Sequence, residues 1–150
     1  MTFDDVRSKH PDYGPPFPKT WAKPDKATLD NIMLKYQCKF PPSFIEFQLT
    51  RCHDTPMADY AFDGFGWANA SIAPYANLEK LVKDFRELNY PEWLSPFKTD
   101  NGDYWCFDTR NRDDEEYPVV IYDHNSNSLE NLPQYNWRNF IEWLARGFDE

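Results

Sequence analysis

The sequence predicts an α+β domain with helices first, an antiparallel or mixed sheet in the second half, and a closing C-terminal helix packed on that sheet. Three observations support this order. Apolar residues recur at the spacing of one helical face over residues 29–36, Asn101-Gly102 separates two alternating runs, and residues 119–121 are all β-branched. At 150 residues the chain has the length of a single domain.

The first 24 residues differ from the rest because they are rich in proline. Proline fixes φ and lacks an N–H donor, so neither a regular helix nor a central strand is expected there. The sequence therefore predicts an extended arm over residues 1–24 and one domain over residues 25–150. The arm is expected to pack on the domain through three aromatic residues: Tyr13, Phe17 and Trp21.

Four helices are predicted from their start and stop signals. Asp25 starts the first helix, and Pro41 or Pro42 occupies the first turn of a short second helix, which is apolar nearly all round and so expected to be buried.

Asn77 is placed to cap the third helix, whose apolar face runs over residues 78–88 and which ends before Pro91. The closing helix is expected to begin after a cap at Asn136 and to end at Gly147.

The strands are predicted from turn chemistry and residue type. Asn101-Gly102 is a strong hairpin signal, because both central positions of a type I′ turn have positive φ. The hairpin strands are expected over residues 97–99 and 104–108, and the core strand contains residues 119–121. One further strand is expected around residues 66–72.

The composition excludes several classes of protein. A hydrophobic fraction of 41% and an aromatic fraction of 18% are incompatible with a disordered chain. No window approaches the roughly 20 apolar residues of a membrane helix, and the N terminus lacks the apolar core of a signal peptide. The three cysteines include no CxxC pair, which argues against a disulfide framework or a zinc site. We therefore expect a cytoplasmic protein with no membrane partner.

The formal net charge of −9 restricts the class of partner. An acidic chain without a local cluster of Lys and Arg repels phosphate backbones, so direct binding to nucleic acid is not expected. The same charge accelerates encounter with a basic protein, because complementary charge raises association rates. Acidity for solubility alone is the other interpretation of this charge.

Three carboxylates occur within nine positions at Asp100, Asp103 and Asp108, interleaved with aromatic residues. A calcium-binding loop requires glycine at its sixth position, and a loop that starts at Asp100 has Trp105 there. Strand alternation also places Asp103 and Asp108 on opposite faces. These residues are therefore expected to be solvated hairpin acids, with no metal and no cofactor, and a metal-dependent hydrolase is kept as an alternative.

Nucleophilic catalysis has little support in the sequence. Cys52, His53 and Asp54 include the residue types of a nucleophile, a base and an orienting acid. Consecutive residues cannot fold back on one another to make the contacts that such a group requires. The chain contains no GxSxG motif, no P-loop and no complete dinucleotide-binding motif. The sequence therefore predicts a protein that is not an enzyme.

Four segments occur in a characteristic order: FPPSFIEFQLTR, WLSPFKTDNGDYWCFDT, YPVVIYDH and NWRNFIEWL. Together they resemble the SUKH superfamily, the Smi/Knr-type domain. The segments match its second helix, its paired strands around an acidic-glycine turn, its next strand and its closing helix. Asn101, Gly102 and Asp103 match the turn, whereas Cys106 and Asp108 match the second strand. The resemblance begins near Asp25 and implies a non-enzymatic α+β binding domain.

What the resemblance implies about function is protein binding. Bacterial members are largely immunity proteins that neutralise toxin domains, often nucleases, of polymorphic or contact-dependent toxin systems. Fungal relatives regulate cell-wall glucan synthesis, so a regulatory or scaffold module is the alternative. We expect a monomer or a weak homodimer whose partner is a basic toxin domain. Candidate partner-binding residues are Tyr60, Asp100, Asp103, Trp105, Asp113, Asp114, Glu115 and Glu116.

Overall fold

The computed structural model describes residues 2–9, 25–51, 78–100, 102–112, 115–129 and 136–149. Several predictions fall outside these residues, namely the strand around residues 66–72, the cap at Asn77 and the aromatic contacts of the arm. The described helices come first, the strands follow, and one helix comes after the last strand, as the sequence predicts. The helices are α1 (Phe3–Lys9), α2 (Lys26–Tyr36), α3 (Pro42–Glu46) with a π-helical segment (Phe47–Arg51) directly after it, α4 (Leu78–Glu87) and α5 (Phe140–Asp149).

The sheet of the described chain has four antiparallel strands in sequential order, β1-β2-β3-β4. Their bounds are β1 (Leu94–Asp100), β2 (Asp103–Asp108), β3 (Val119–Asp123) and β4 (Ser128–Leu129). The hairpin predicted around Gly102 and the core strand predicted at residues 119–121 are both confirmed. A register shift between Pro96 and Lys98 interrupts the pairing of β1 with β2.

Local capping explains where α2 begins and ends. Asp25 accepts a hydrogen bond from the backbone N–H of Thr28 at 2.7 Å, which satisfies one of the free donors of the first turn. Gln37 then takes a left-handed conformation with φ +56, and its N–H bonds the carbonyl of Met33. Leu29 and Ile32 are fully buried, so the predicted helical face is confirmed.

The sheet lies between two groups of helices, and aromatic rings fill both interfaces. On one face Phe107 stacks on Phe97 at 4.5 Å between ring centroids and meets Phe44 of α3 at 5.4 Å. On the other face Tyr104 lies 4.9 Å from Phe85 of α4. The predicted burial of the short second helix is confirmed at its two phenylalanines, Phe44 and Phe47.

The start and the end of the closing helix differ from the prediction. Asn139, rather than Asn136, accepts the N–H of Glu142 at 2.9 Å and caps the helix. Trp137 cannot be helical, because its N–H and its carbonyl both pair with Val119, at 3.0 and 2.9 Å. The helix also continues through Gly147 to Asp149. Pairing with β3 therefore delays the helix by one turn, and the caps predicted at Asn136 and Gly147 are wrong.

The N-terminal segment also differs from the prediction over Phe3–Lys9, which is helix α1 rather than extended chain. This stretch precedes the first proline, so nothing prevents a helix there. Thr2 and Asp5 form reciprocal hydrogen bonds across the first turn, at 2.7 and 3.2 Å. Phe3 is buried near Phe140 of α5, with 6.4 Å between ring centroids, so α1 contributes to the core.

Leu88, which the sequence placed on the apolar face of α4, lies just beyond the helix and is 50% exposed. In the described part of the chain, no helix has both the length and the apolar character needed to cross a bilayer.

Candidate protein-binding site

The turn between β1 and β2 lies against the turn between β3 and β4. Gly102, in the first turn, has φ +89, a conformation that residues with a side chain rarely adopt. A Cβ atom at this position would lie 3.0 Å from Nδ1 of His124 in the second turn. Glycine at position 102 therefore allows the two turns to lie side by side at one end of the sheet.

Asp103 and His124 connect the same two turns by hydrogen bonds. His124 donates its backbone N–H to Oδ1 of Asp103 at 3.1 Å, and its ring Nδ1 lies 2.7 Å from the same oxygen. The two side chains are partly exposed, 32% for Asp103 and 38% for His124. An imidazole with a proton on Nδ1 can donate to this carboxylate. The pair therefore presents one acid and one histidine to solvent.

Asp123, the last residue of β3, lies beside this pair. Its carboxylate accepts the backbone N–H of Asn125 at 2.9 Å and the hydroxyl of Ser126 at 3.0 Å. These two hydrogen bonds lower the pKa of Asp123, because they stabilise its charged form. Asp123 is therefore ionised at neutral pH.

We call Asp100, Asp103 and Asp123 the acidic row. The register places Asp100 opposite Asp103 in the first hairpin. One ligand atom each from Asp103, Asp123 and His124 lies within 4.8 Å of the other two. A divalent cation can be bound by oxygen and nitrogen atoms of this kind. The group differs from Asp100, Asp103 and Asp108, the candidates for a metal site in the sequence. Protein donors already bond both carboxylates, so hydrogen bonding alone accounts for the arrangement.

Asp108 lies apart from the acidic row and is buried, so the expectation of a solvated acid is wrong at this position. Its side chain is 5% exposed and forms an ion pair with Arg110, with 3.0 Å between Oδ2 and Nη2. It also accepts the backbone N–H of Arg110 and the side-chain amide of Asn111. Hydrogen bonding to Asp108 raises the pKa of Arg110, whose guanidinium lies 3.4 Å from the centroid of the Trp93 ring. This ion pair holds the turn that follows β2.

Tyr104 and Trp105 point to opposite faces of the sheet. Tyr104 is the buried one, and Trp105 is only partly buried. Lys98, opposite Trp105 in the register, places its Nζ 5.7 Å from the centroid of the Trp105 ring. Trp105 can therefore offer part of its ring to a partner.

The acids after β2 have different surroundings. Glu115 is exposed and pairs with Arg112 at 3.3 Å. Glu116 is directed inward, where its carboxylate accepts both the hydroxyl and the backbone N–H of Ser43, the latter at 3.1 Å. The structure therefore places Asp103 and Glu115 at the surface and turns Glu116 toward α3. Other predicted binding residues lie outside what the structure describes: Tyr60, Asp113, Asp114 and the side chain of Asp100.

Comparison with known proteins identifies the family. The model of the family SUKH_5, described as SMI1-KNR4 cell-wall, matches residues 4–149. The chain belongs to the SUKH family. A crystal structure of a protein from Pseudomonas syringae pv. tomato has the same fold, with a TM-score of 0.67, 18% sequence identity and 94% of each chain covered. No curated protein matches the sequence.

In this SUKH domain, sequence reasoning missed two residues of the site, Asp123 and His124. Both belong to YPVVIYDH, whose residue pattern predicts a strand and gives no sign of a binding site. The signal was the sequential order of the strands. In a meander, the β1–β2 turn and the β3–β4 turn lie at the same end of the sheet. Residues at the end of β3 therefore lie beside residues at the start of β2.

A second feature of the SUKH domain is a pocket of about 360 Å³ between the C-terminal ends of α2 and α4. It has no counterpart in the sequence predictions, because its residues come from separate helix ends. Residues at its lining include Lys35, Gln37, Arg86, Asn89, Tyr90 and Glu92.

The two described thiols are chemically shielded. Cys38 and Cys106 are both buried and free. Burial raises the pKa of each thiol, most strongly that of Cys106, and the nearby Arg86 offsets only part of this effect. The reactive thiolate is therefore disfavoured, and neither cysteine is suited to be a nucleophile.

Proposed function

We propose that this SUKH domain is a non-enzymatic immunity protein that binds a toxin domain of a polymorphic or contact-dependent toxin system. The observation that carries the proposal is family membership over residues 4–149. The protein would act in the cytoplasm by covering the active site of a basic toxin, such as a nuclease.

Charge supports a basic partner. The chain carries a net charge of −9, and the acidic row lies at one end of the sheet, where Asp103 and His124 are partly exposed. Exposed acids steer a basic protein into the correct orientation before contact, which raises the association rate. We propose that the row does this together with Glu115 and the neighbouring Asp113 and Asp114.

The remaining candidates have different roles in the proposal. Trp105 is the proposed aromatic anchor, because a partly buried tryptophan adds contact area at low entropic cost. Tyr60 is a second anchor. Glu116 would contribute its charge only through the long-range field, because its carboxylate is bonded to Ser43.

Co-expression with the toxin domain encoded by a neighbouring gene tests the proposal. The expected result is a complex that co-purifies and cells that survive toxin expression. Asp103→Asn combined with Asp123→Asn should slow association by about tenfold at low salt and by less at high salt. Asp30→Asn combined with Glu87→Gln is the matched control, because it neutralises two exposed acids of the helices and should slow association less. Absence of both binding and rescue would refute the immunity function.

A regulatory or scaffold module is the second candidate. It is favoured by the family description, which refers to the cell wall. This function requires an endogenous partner and no adjacent toxin gene. Deletion of the gene should then change sensitivity to cell-wall stress in cells that have no toxin, a phenotype that the immunity function does not produce.

A metal-dependent hydrolase is the third possibility, motivated by the proximity of Asp103, Asp123 and His124. Calorimetric titration with magnesium, manganese and calcium tests it directly. We expect no saturable heat from any of the three ions.

A further inference from the structure

The pocket between α2 and α4 has a rigid base. Arg86 of α4 donates its Nε–H to the carbonyl of Tyr36 at 3.0 Å and an Nη2–H to the carbonyl of Gln37 at 3.2 Å. Both carbonyls belong to the C-terminal end of α2, where a cation compensates the negative end of the helix dipole. The guanidinium of Arg86 thus joins the two helix ends and fixes the base of the pocket.

The walls of the pocket are also held in place. Gln37 and Asn89 end their helices in the left-handed conformation, with φ +56 and +58. Tyr90 packs against Tyr122 of the sheet, with 4.6 Å between ring centroids. The backbone at Gln37 and Asn89 and the ring of Tyr90 are therefore held in place, which lowers the entropic cost of binding a ligand there.

Lys35 differs from the other lysines of α2 and α4. Lys26, Lys80 and Lys83 each pair with an acid four residues later, at 2.9, 2.7 and 4.0 Å. Position 39 is a lysine, so Lys35 has no acid at that spacing. Within the residues that the structure describes, Lys35 makes no ion pair, and its Nζ lies 5.3 Å from the centroid of the Tyr36 ring. Lys35 is therefore a lysine of the pocket lining that no described acid neutralises through an ion pair.

Two exposed leucines come directly before residues of the pocket lining in the sequence, although neither belongs to the lining itself. Leu34 is 81% exposed and directly precedes Lys35, and Leu88 is 50% exposed and directly precedes Asn89. These are the large hydrophobic side chains that are exposed in the described part of the chain. Each leucine lies one residue from the lining, so both are available as apolar contacts for a polypeptide bound there.

We propose that this pocket binds a carboxylate of a partner polypeptide, with Lys35 as the cation and with Leu34 and Leu88 contacting apolar side chains beside that carboxylate. Arg86 positions the pocket, because its N–H groups are directed to backbone carbonyls. Glu92, also at the lining, opposes the bound anion. This site goes beyond the proposed function, because its ligand is acidic whereas the acidic row would meet a basic surface.

A peptide titration followed by ¹H–¹⁵N NMR tests the proposal without any toxin. The probe is N-acetyl-Leu-Glu-Leu-amide, compared with N-acetyl-Leu-Gln-Leu-amide and with acetate. The glutamate peptide should produce saturable shifts at the backbone amides of Gln37 and Asn89, with a Kd on the order of 1 mM. The glutamine peptide should bind about tenfold more weakly, because the charge-assisted contact is lost. Acetate should bind more weakly than the glutamate peptide, because it lacks the apolar contacts.

Three variants separate the pocket from the overall charge. Lys35→Gln should weaken binding of the glutamate peptide by about tenfold, and Glu92→Gln should strengthen it by about twofold. Lys26→Gln makes the same change of net charge on the same helix and should leave Kd unchanged.

Three results would overturn the proposal. They are equal binding of the two peptides, equal losses in Lys35→Gln and Lys26→Gln, or acetate binding as tightly as the peptide. The last result would indicate a site for free acids rather than for a polypeptide.

Discussion

Glu116 closes the first turn of α3 by accepting the backbone N–H and the hydroxyl of Ser43, a residue 73 positions earlier in the chain. The helix needs this acceptor, because Pro41 occupies the cap position and offers no side-chain hydrogen bond. A carboxylate at a helix N terminus also interacts favourably with the helix dipole. The segment that follows β2 is therefore fastened to the helical layer at this point.

We predict that Glu116→Ala lowers the free energy of unfolding by about 1–2 kcal/mol, because it removes a helix cap. Urea denaturation monitored by tryptophan fluorescence measures the change. Glu115→Ala is the matched control, because Glu115 is exposed and pairs only with Arg112 among the described residues. It should change the free energy by less than about 0.5 kcal/mol. Equal losses in the two variants would show that Glu116 does not act as a cap.

Asp108→Ala should lower the free energy of unfolding by about 2 kcal/mol. The substitution leaves the buried end of the turn after β2 without the acceptor for the backbone N–H of Arg110. Asp84→Ala, which removes a solvent-exposed partner of Lys80, is expected to cost less than about 0.5 kcal/mol. A small effect of Asp108→Ala in chemical denaturation would mean that water replaces the lost acceptor.

The cap of α2 should make stability depend on pH below the ordinary carboxyl pKa of 3.8. Hydrogen bonds from the backbone and the hydroxyl of Thr28 lower the pKa of Asp25 in the folded protein. The stabilisation is therefore complete above the unfolded-state pKa and is lost as the pH falls through the folded-state pKa.

Asp25→Asn keeps a cap but removes the charge, so the free energy of unfolding of this variant should fall less at low pH. Unfolding by urea between about pH 7 and pH 2 measures the effect. An equal loss of unfolding free energy at low pH in wild type and variant would contradict the role of Asp25.

The buried thiols should resist alkylation in the folded protein. A Cys52→Ser variant isolates Cys38 and Cys106, whose raised pKa values and burial both oppose reaction. At about pH 8 we expect modification at least about 100-fold slower than in urea-unfolded protein, with a rate that follows unfolding. Mass spectrometry after iodoacetamide treatment gives the rate at each cysteine. Rapid labelling of either thiol in native buffer would show that it is accessible.

Features with a local cause could be predicted from the sequence. The face of α2, the hairpin at Gly102 and the strand at Val119–Asp123 each follow from residue spacing or turn chemistry within about ten positions. The start of α5 could not be predicted in this way. The backbone of Trp137 pairs with that of Val119, and this tertiary contact prevents Trp137 from joining the helix.

The candidate site divides in the same way. The residue pattern predicts solvated acids in the first hairpin, and the family resemblance together with the net charge makes Asp100 and Asp103 candidates for binding. His124 joins Asp103 only because β3 returns beside β2, and Glu116 reaches Ser43 only because the helical layer packs on the sheet. The spacing of residues along the chain predicts neither contact.

The sequential order of the strands has a consequence for how the protein folds. Each strand pairs with its neighbour in the chain, so the sheet closes only short loops and its formation costs little chain entropy. The contact between Ser43 and Glu116 spans far more chain and should therefore form after the sheet. A kinetic analysis of Glu116→Ala would then show faster unfolding with nearly unchanged refolding, which places the docking of α3 after the rate-limiting step.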